Sequence, residues 1–150
     1  MAQSLARIAI HLVFSTKNRQ HWLDDSLRPN LFGYMATVGR QQGCEVFRVG
    51  GVTDHVHLAI DLGRTICIAD FAKRIKQASS VWLKEQSREH HRFEWQAGYG
   101  AFSVGQSQLP RLVEYIDNQE EHHRKVGFRE EYLKLLEKYG FPRDERYLWD

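Results

Sequence analysis

The sequence predicts an α+β fold, a ferredoxin-like (RRM-like) βαββαβ antiparallel sheet with two additional C-terminal helices. Three observations lead there. Apolar residues alternate in some segments, recur at three- and four-residue spacing in others, and the two patterns follow one another as strand, helix, strand, strand, helix, strand, helix, helix. With 150 residues, 42% of them hydrophobic, the chain can bury one core but not two. Residues 1–150 therefore read as a single domain, with a C-terminal helix and tail from about residue 125.

Leu5 to Phe14 carries Ile8, Ile10, Leu12 and Phe14 at alternate positions, the pattern of a strand with one packed face. From Leu27 to about Gln42, Leu27, Leu31, Tyr34, Met35 and Val38 recur at helical spacing, and Gly43 stops the helix. Cys44–Val49 and Val52–Ile60 read as two strands joined by a hairpin at Gly50-Gly51. Thr65 can cap a second helix with Ile68, Phe71, Ile75, Ala78 and Trp82 along one side. Tyr99–Val104 is a fourth strand. Ser107 can cap a third helix running to about Arg124, with Pro110 tolerated in its first turn. Phe128, Tyr132, Leu135, Leu136 and Tyr139 mark a last helix, ended by Gly140 and Pro142. This topology covers one sheet face and leaves the other to a partner chain, an extra helix or a ligand.

Charged residues make up 27%, the composition of a soluble globular protein. The apolar run near the start is broken by Arg7 and His11, so neither a signal peptide nor a membrane span is expected. Cys44 and Cys67 lack a pairing pattern and read as buried, reduced thiols of a cytoplasmic protein. A net charge of +2 neither demands nor excludes a nucleic-acid partner.

The chemistry concentrates in two places. In Asp54-His55-Val56-His57-Leu58-Ala59-Ile60 the two histidines are two apart on a strand, so they project together while Val56, Leu58 and Ile60 face the helices. Both imidazoles then lie on the uncovered face, close enough to share a metal ion. The same spacing also suits a pair of surface or hydrogen-bonded histidines. On the third helix Leu109, Leu112, Val113 and Ile116 form a buried stripe, with Tyr115 about 110° and Gln119 about 70° from its centre, on one flank. Tyr115 there is either an amphipathic packing residue or a phenol held as a nucleophile, with the Gln119 amide oxygen one turn away as a neutral ligand. Together, two imidazoles and an amide oxygen would leave an ion its full charge and open positions for a phosphate oxygen.

At these residues the sequence resembles the HUH single-tyrosine transposases of the insertion sequence 200/605 family (IS200-like transposases), HUH describing His55-Val56-His57. The likeness runs through five stretches in order. They are His11-Leu12-Val13-Phe14-Ser15-Thr16-Lys17, Gly51-Val52-Thr53-Asp54-His55-Val56-His57-Leu58, Gly98-Tyr99-Gly100-Ala101-Phe102-Ser103-Val104, Tyr115-Ile116-Asp117-Asn118-Gln119, and the tail Asp144-Glu145-Arg146-Tyr147-Leu148-Trp149-Asp150. The resemblance implies a metal-dependent DNA strand transferase. In it His55, His57 and Gln119 hold Mg2+ or Mn2+, and Tyr115 attacks the scissile phosphate to leave a 3′-OH and a 5′-phosphotyrosine. It also implies single-stranded DNA substrates, commonly hairpins at element ends, and a homodimer in which one subunit's tyrosine helix can complete the other's site. The expected location is the bacterial cytoplasm, with the nucleoid.

Lys73, Arg74, Lys76 and Lys84 dot the second helix away from its apolar stripe and could contact DNA phosphates or simply be solvated. Phe47, Trp95, Tyr99 and Phe102 could stack on bases, but core packing suits them better. His90-His91 and His122-His123 are adjacent pairs whose side chains would diverge by about 100° on a helix, so neither is expected to make a two-ligand site. His11 is a candidate for work next to the metal, and Asp54 is left out because strand alternation turns it to the opposite face. Two other functions fit the topology: a non-catalytic RRM-like nucleic-acid-binding module, and a metal-dependent nuclease in which water attacks. The first is disfavoured because His55 and His57 stand where that module carries aromatic residues.

Overall fold

The structure is a computed structural model that describes residues 3–142 and 144–148, the side chains of 147 and 148 excepted. The last residues of the family-like tail, Trp149 and Asp150, therefore lie outside the described residues. The elements are β1 (Ala9–Ser15), α1 (Arg28–Gln41), β2 (Glu45–Gly51), β3 (His55–Asp61), α2 (Ile68–Gln86), β4 (Gly100–Ser103), α3 (Leu109–Asp117), α4 (Gln119–His123) and α5 (Phe128–Lys138). The four strands form one sheet in the order β2-β3-β1-β4, every pair antiparallel, as a βαββαβ chain requires. No helix among the described residues is long and apolar enough to cross a membrane.

Alternation divides the two central strands between the sheet faces. Ile10, Leu12 and Phe14 of β1 and Val56, Leu58 and Ile60 of β3 are buried in the main core, against Leu31, Met35 and Val38 of α1 and Phe71 and Ile75 of α2. Full burial of each large side chain contributes about 1.5–3 kcal/mol of hydrophobic free energy, so this face supplies most of the stability. The second face is also covered, by the chain's own C-terminal helices. Leu109, Leu112 and Ile116 of α3 pack on Ala9 and Ala59, and Phe128, Tyr132, Leu133 and Leu136 of α5 pack with Val13 and Phe102.

Several boundaries differ from the sequence-based expectation. Gly50 and Gly51 are not the hairpin turn: they pair with His57 and Val56 at the end of β2, and the turn is Val52–Asp54. Their role is close approach. A Cβ on Gly50 would lie 2.6 Å from Ile116 Cγ2 and 2.8 Å from the Ile116 carbonyl oxygen, so only glycine lets α3 settle on β2. Gly100 does the same for α5, where a Cβ would meet the Tyr132 ring at 2.7 Å. Cys67 rather than Thr65 occupies the cap of α2, and it is exposed, unlike buried Cys44; both thiols are free. Ser107 lies in a 3-10 turn (Gln106–Gln108) that leads into α3 without a side-chain cap.

The third helix does not run unbroken to Arg124. It ends at Asp117, and Asn118 leaves helical geometry before α4 begins at Gln119. The apolar stripe that holds α3 to the sheet ends at Ile116, and nothing apolar follows until Val126. Arg28, buried at the start of α1, donates to the Leu23 carbonyl and, at 2.9 Å, to the Glu120 carboxylate, which ties α4 to the body of the domain. Among the described residues the C-terminal part thus holds three α-helices rather than two.

Candidate active site

Between the apolar patches under α3 and α5 runs a strip of polar residues that neither patch covers. The strands contribute His11 from β1 and His55 and His57 from β3, all buried. The helices contribute Tyr115, Gln119, His122, His123 and Glu131. Buried polar groups are tolerated only when they are partnered, and here they partner one another.

Glu131 is the hub. Its Oε1 lies 3.0 Å from His57 Nε2 and 3.2 Å from the Nε2 atoms of both His55 and His123. Its Oε2 accepts hydrogen bonds from the Tyr115 hydroxyl and, at 3.1 Å, from the Gln119 amide, with His122 Nε2 at 3.2 Å. Gln119 Oε1 stands 3.0 Å from His55 Nε2. On the far side of each ring, Asp54 Oδ1 takes His55 Nδ1 at 2.7 Å, and His57 Nδ1 meets His11 Nε2 at 2.7 Å. These outer contacts fix the imidazole orientations and turn both Nε2 atoms toward Glu131.

The electrostatics follow from that crowding. Burial disfavours a charged His55, but hydrogen bonds to Asp54 and Glu131 outweigh it and push its pKa up to about 9. For His57 burial prevails and the pKa falls, as it does for His11, where the neighbouring His57 adds to the effect. Burial alone would raise Glu131, yet the imidazoles of His123, His55 and His57 crowded against its carboxylate hold it far below the carboxylate range, so it is ionised. Tyr115 is pushed well above a normal phenol, by burial and then by the Glu131 charge. Positive charge in the cluster would reverse that shift.

The four residues singled out from the sequence thus converge within one chain. Tyr115 is half-buried at the rim, its ring centroid 5.6 Å from His57 and 6.1 Å from His11. It opens onto a cleft of about 400 Å3 lined by Arg111, Lys134, Lys138 and Tyr139. The α2 residues lie on the other side of the sheet. Lys73 and Arg74 are exposed, whereas Lys76 is half-buried and donates to the carbonyls of Gln96 (2.8 Å) and Gly98 (2.6 Å). Trp95 and Phe102 are core residues, while Phe47 and Tyr99 are half-buried against it.

Three participants escaped the sequence reading. Asp54 does orient His55, because it sits in the turn before β3, where strand alternation does not apply. His123 diverges from its neighbour His122 but shares a face of α4 with Gln119, four residues earlier, and this turns it to Glu131 (3.2 Å) and the His55 ring. Glu131 stands three residues after Phe128, on the buried side of α5. A carboxylate in that stripe was the available signal, since an acidic group is not buried without partners.

His55, His57, His123 and Glu131 each offer one ligand atom, all within 4.8 Å of one another, which suits a divalent cation. Within that group the Nε2 atom of His123 is buried yet lacks a properly directed hydrogen bond, as a donor to such a cation would.

Comparison with known proteins places the chain in a family. The family model for IS200-like transposases matches residues 4–119. The ISDra2 transposase TnpA of Deinococcus radiodurans is 26% identical over 120 residues, spanning 75% of this chain and 84% of the relative. Two solved structures share the fold. One is a Deinococcus radiodurans protein assigned as a transposase (TM-score 0.62, 24% identity, 79% of this chain and 98% of that one). The other is a REP-associated tyrosine transposase bound to a REP hairpin (TM-score 0.61, 15% identity, 84% of this chain and 74% of that one). The family match spans most of the chain and includes His55, His57, Tyr115 and Gln119, and the protein belongs to the IS200-like transposases.

Proposed function

We propose that the protein cleaves and rejoins single-stranded DNA with Tyr115 as covalent nucleophile. The observation that carries this reading is the reach of the Tyr115 hydroxyl into the carboxylate–imidazole cluster formed by Glu131, His55 and His57 of its own chain. The Tyr115 oxygen would attack the scissile phosphorus and the bond to the 3′ oxygen would break, leaving a 3′-OH and a 5′-phosphotyrosine. Glu131 Oε2, already bonded to the phenol, is placed to receive its proton. Attack by a second 3′-OH on the phosphotyrosine would form the new phosphodiester and free the phenol.

His55, His57 and Gln119 would hold Mg2+ or Mn2+. When bound, such an ion supplies positive charge that polarises a phosphate oxygen and favours the phenolate. Asp54 and His11 keep the two imidazoles aimed at the cluster.

Arg111, Lys134 and Lys138 beside Tyr115 suit the phosphates of an entering strand. Lys73 and Lys76 line a separate groove with Lys17 and Lys84. Contacts by them or by Arg74 would assist binding, remote from the chemistry. One solved neighbour binds a REP hairpin, which favours a hairpin substrate here. A homodimer remains part of this reading, although the phenol and imidazoles of one chain already meet. Bacterial cytoplasm and nucleoid would be the setting. An RRM-like role is disfavoured because α3–α5 bury the sheet face such modules present to RNA.

The test is labelled single-stranded DNA with Mn2+ or Mg2+ and, in parallel, a chelator. A covalent protein–DNA band is expected with either metal, lost on chelation and lost in Tyr115→Phe, which should still shift DNA in a native gel. Undiminished nicking by Tyr115→Phe would transfer the role to water.

A further inference from the structure

We infer that His123 and Glu131 are ligands of the same ion as His55 and His57, so that α4 and α5 complete a three-imidazole, one-carboxylate metal site. The inference rests on the metal dependence proposed above and adds two residues beyond Gln119, where the family match ends.

The spacing is that of a ligand shell. Donors bound at about 2.1 Å to one ion stand about 3.0–3.4 Å from their neighbours in octahedral or tetrahedral arrangements. Glu131 Oε1 lies 3.0 Å from His57 Nε2, 3.2 Å from His55 Nε2 and 3.2 Å from His123 Nε2. Gln119 Oε1 adds a fifth electron-pair donor, 3.0 Å from His55 Nε2.

Hydrogen bonding explains this arrangement poorly. A carboxylate oxygen has two lone pairs and cannot receive three imidazole N–H groups in good geometry. His123 shows the consequence: its Nε2 is buried near Glu131 and makes no directed hydrogen bond. On His55 the Nδ1 atom is held by Asp54, which aims Nε2 at the oxygens of Gln119 and Glu131, the direction of the proposed ion. Electron-pair donors aimed at one point call for a cation between them.

The donor set also selects the metal. Mg2+ holds to oxygen ligands and sheds water reluctantly, whereas imidazole nitrogens suit Mn2+ and the later transition metals. Three imidazoles and one carboxylate therefore favour Mn2+ over Mg2+. The division of labour within Glu131 is then simple: Oε1 faces the ion and Oε2 faces the phenol and Gln119.

The experiment is calorimetric titration of the full chain with Mn2+ alone and Mg2+ alone, without DNA. Wild type should bind Mn2+ at least ~10-fold more tightly than Mg2+. Glu131→Gln and His123→Ala should each weaken Mn2+ binding by ~10-fold or more, with circular dichroism confirming that each variant is folded. Wild-type Mn2+ affinity in both variants, with loss in His57→Ala, would overturn the inference and leave the two-imidazole reading intact. Unchanged affinity in His57→Ala as well would overturn both. Nitrogen couplings in the pulsed electron paramagnetic resonance of the wild-type Mn2+ complex give a readout free of any folding defect. Three coupled imidazoles are expected, and two would exclude His123.

Discussion

The two faces of the same sheet do opposite work. On one, β1 and β3 present Ile10, Leu12, Phe14, Val56, Leu58 and Ile60 to α1 and α2, all apolar and buried. On the other, the alternate residues of the same strands include His11, His55 and His57, equally buried but polar, beside the apolar Ala9, Val13 and Ala59. A period of two lets neighbouring residues serve stability and chemistry separately. The polar face is costly to bury, and its cost is offset by mutual hydrogen bonds and by flanking apolar patches under α3 and α5. The lesson is that a site can sit in the interior and still be reached, provided one member, here Tyr115, stands at the rim.

The contrast can be broken most sharply by exchanging damage between the faces. Tyr115→Phe should reduce adduct formation by ~1000-fold or more while shifting the melting temperature by only a few degrees. Leu58→Ala should do the reverse. It should lose about 2–5 kcal/mol of stability by cavity formation, measured in urea, with adduct formation per folded molecule retained. A large stability loss in the first, or a dead but stable second, would abolish the division of labour between faces.

A smaller effect is expected where the faces meet through Gly50. Gly50→Ala puts a methyl group against the Ile116 side chain and carbonyl, pushing α3 outward. The cost should be about 1–3 kcal/mol of stability, accompanied by slower adduct formation at saturating DNA because Tyr115 moves with the helix. Rates equal to wild type would mean that α3 tolerates displacement. The smallest effects belong to the rim. Lys134→Ala and Lys138→Ala should each reduce the slope of log binding constant against log salt by about 0.7, the single-strand value per phosphate. Lys73→Ala should change adduct formation less than either.

Much of this architecture was legible because it depends on periodicity. The strands around Ile10 and Leu58, the helices around Phe71 and Tyr132, and the shared face of His55 and His57 follow from spacings of two and of three to four. What escaped depends on where the regular pattern stops. Asp54 precedes its strand, so alternation does not place it, and the Gly50-Gly51 pair resembles a turn although Gly50 is a point of close contact with α3. The break at Asn118 had no breaker residue to announce it. It arises because α3 is held by Ile116 while α4 is held by Arg28 and by the polar cluster. Glu131 and His123 meet β3 only through tertiary packing, so nothing local joined them to the histidine pair.

The most direct test of the central claim is mass-spectrometric mapping of the covalent protein–DNA adduct after proteolysis. The account predicts a 5′-phosphorylated nucleotide on the peptide carrying Tyr115. An adduct on any other residue, or efficient cleavage with no adduct at all, would contradict it.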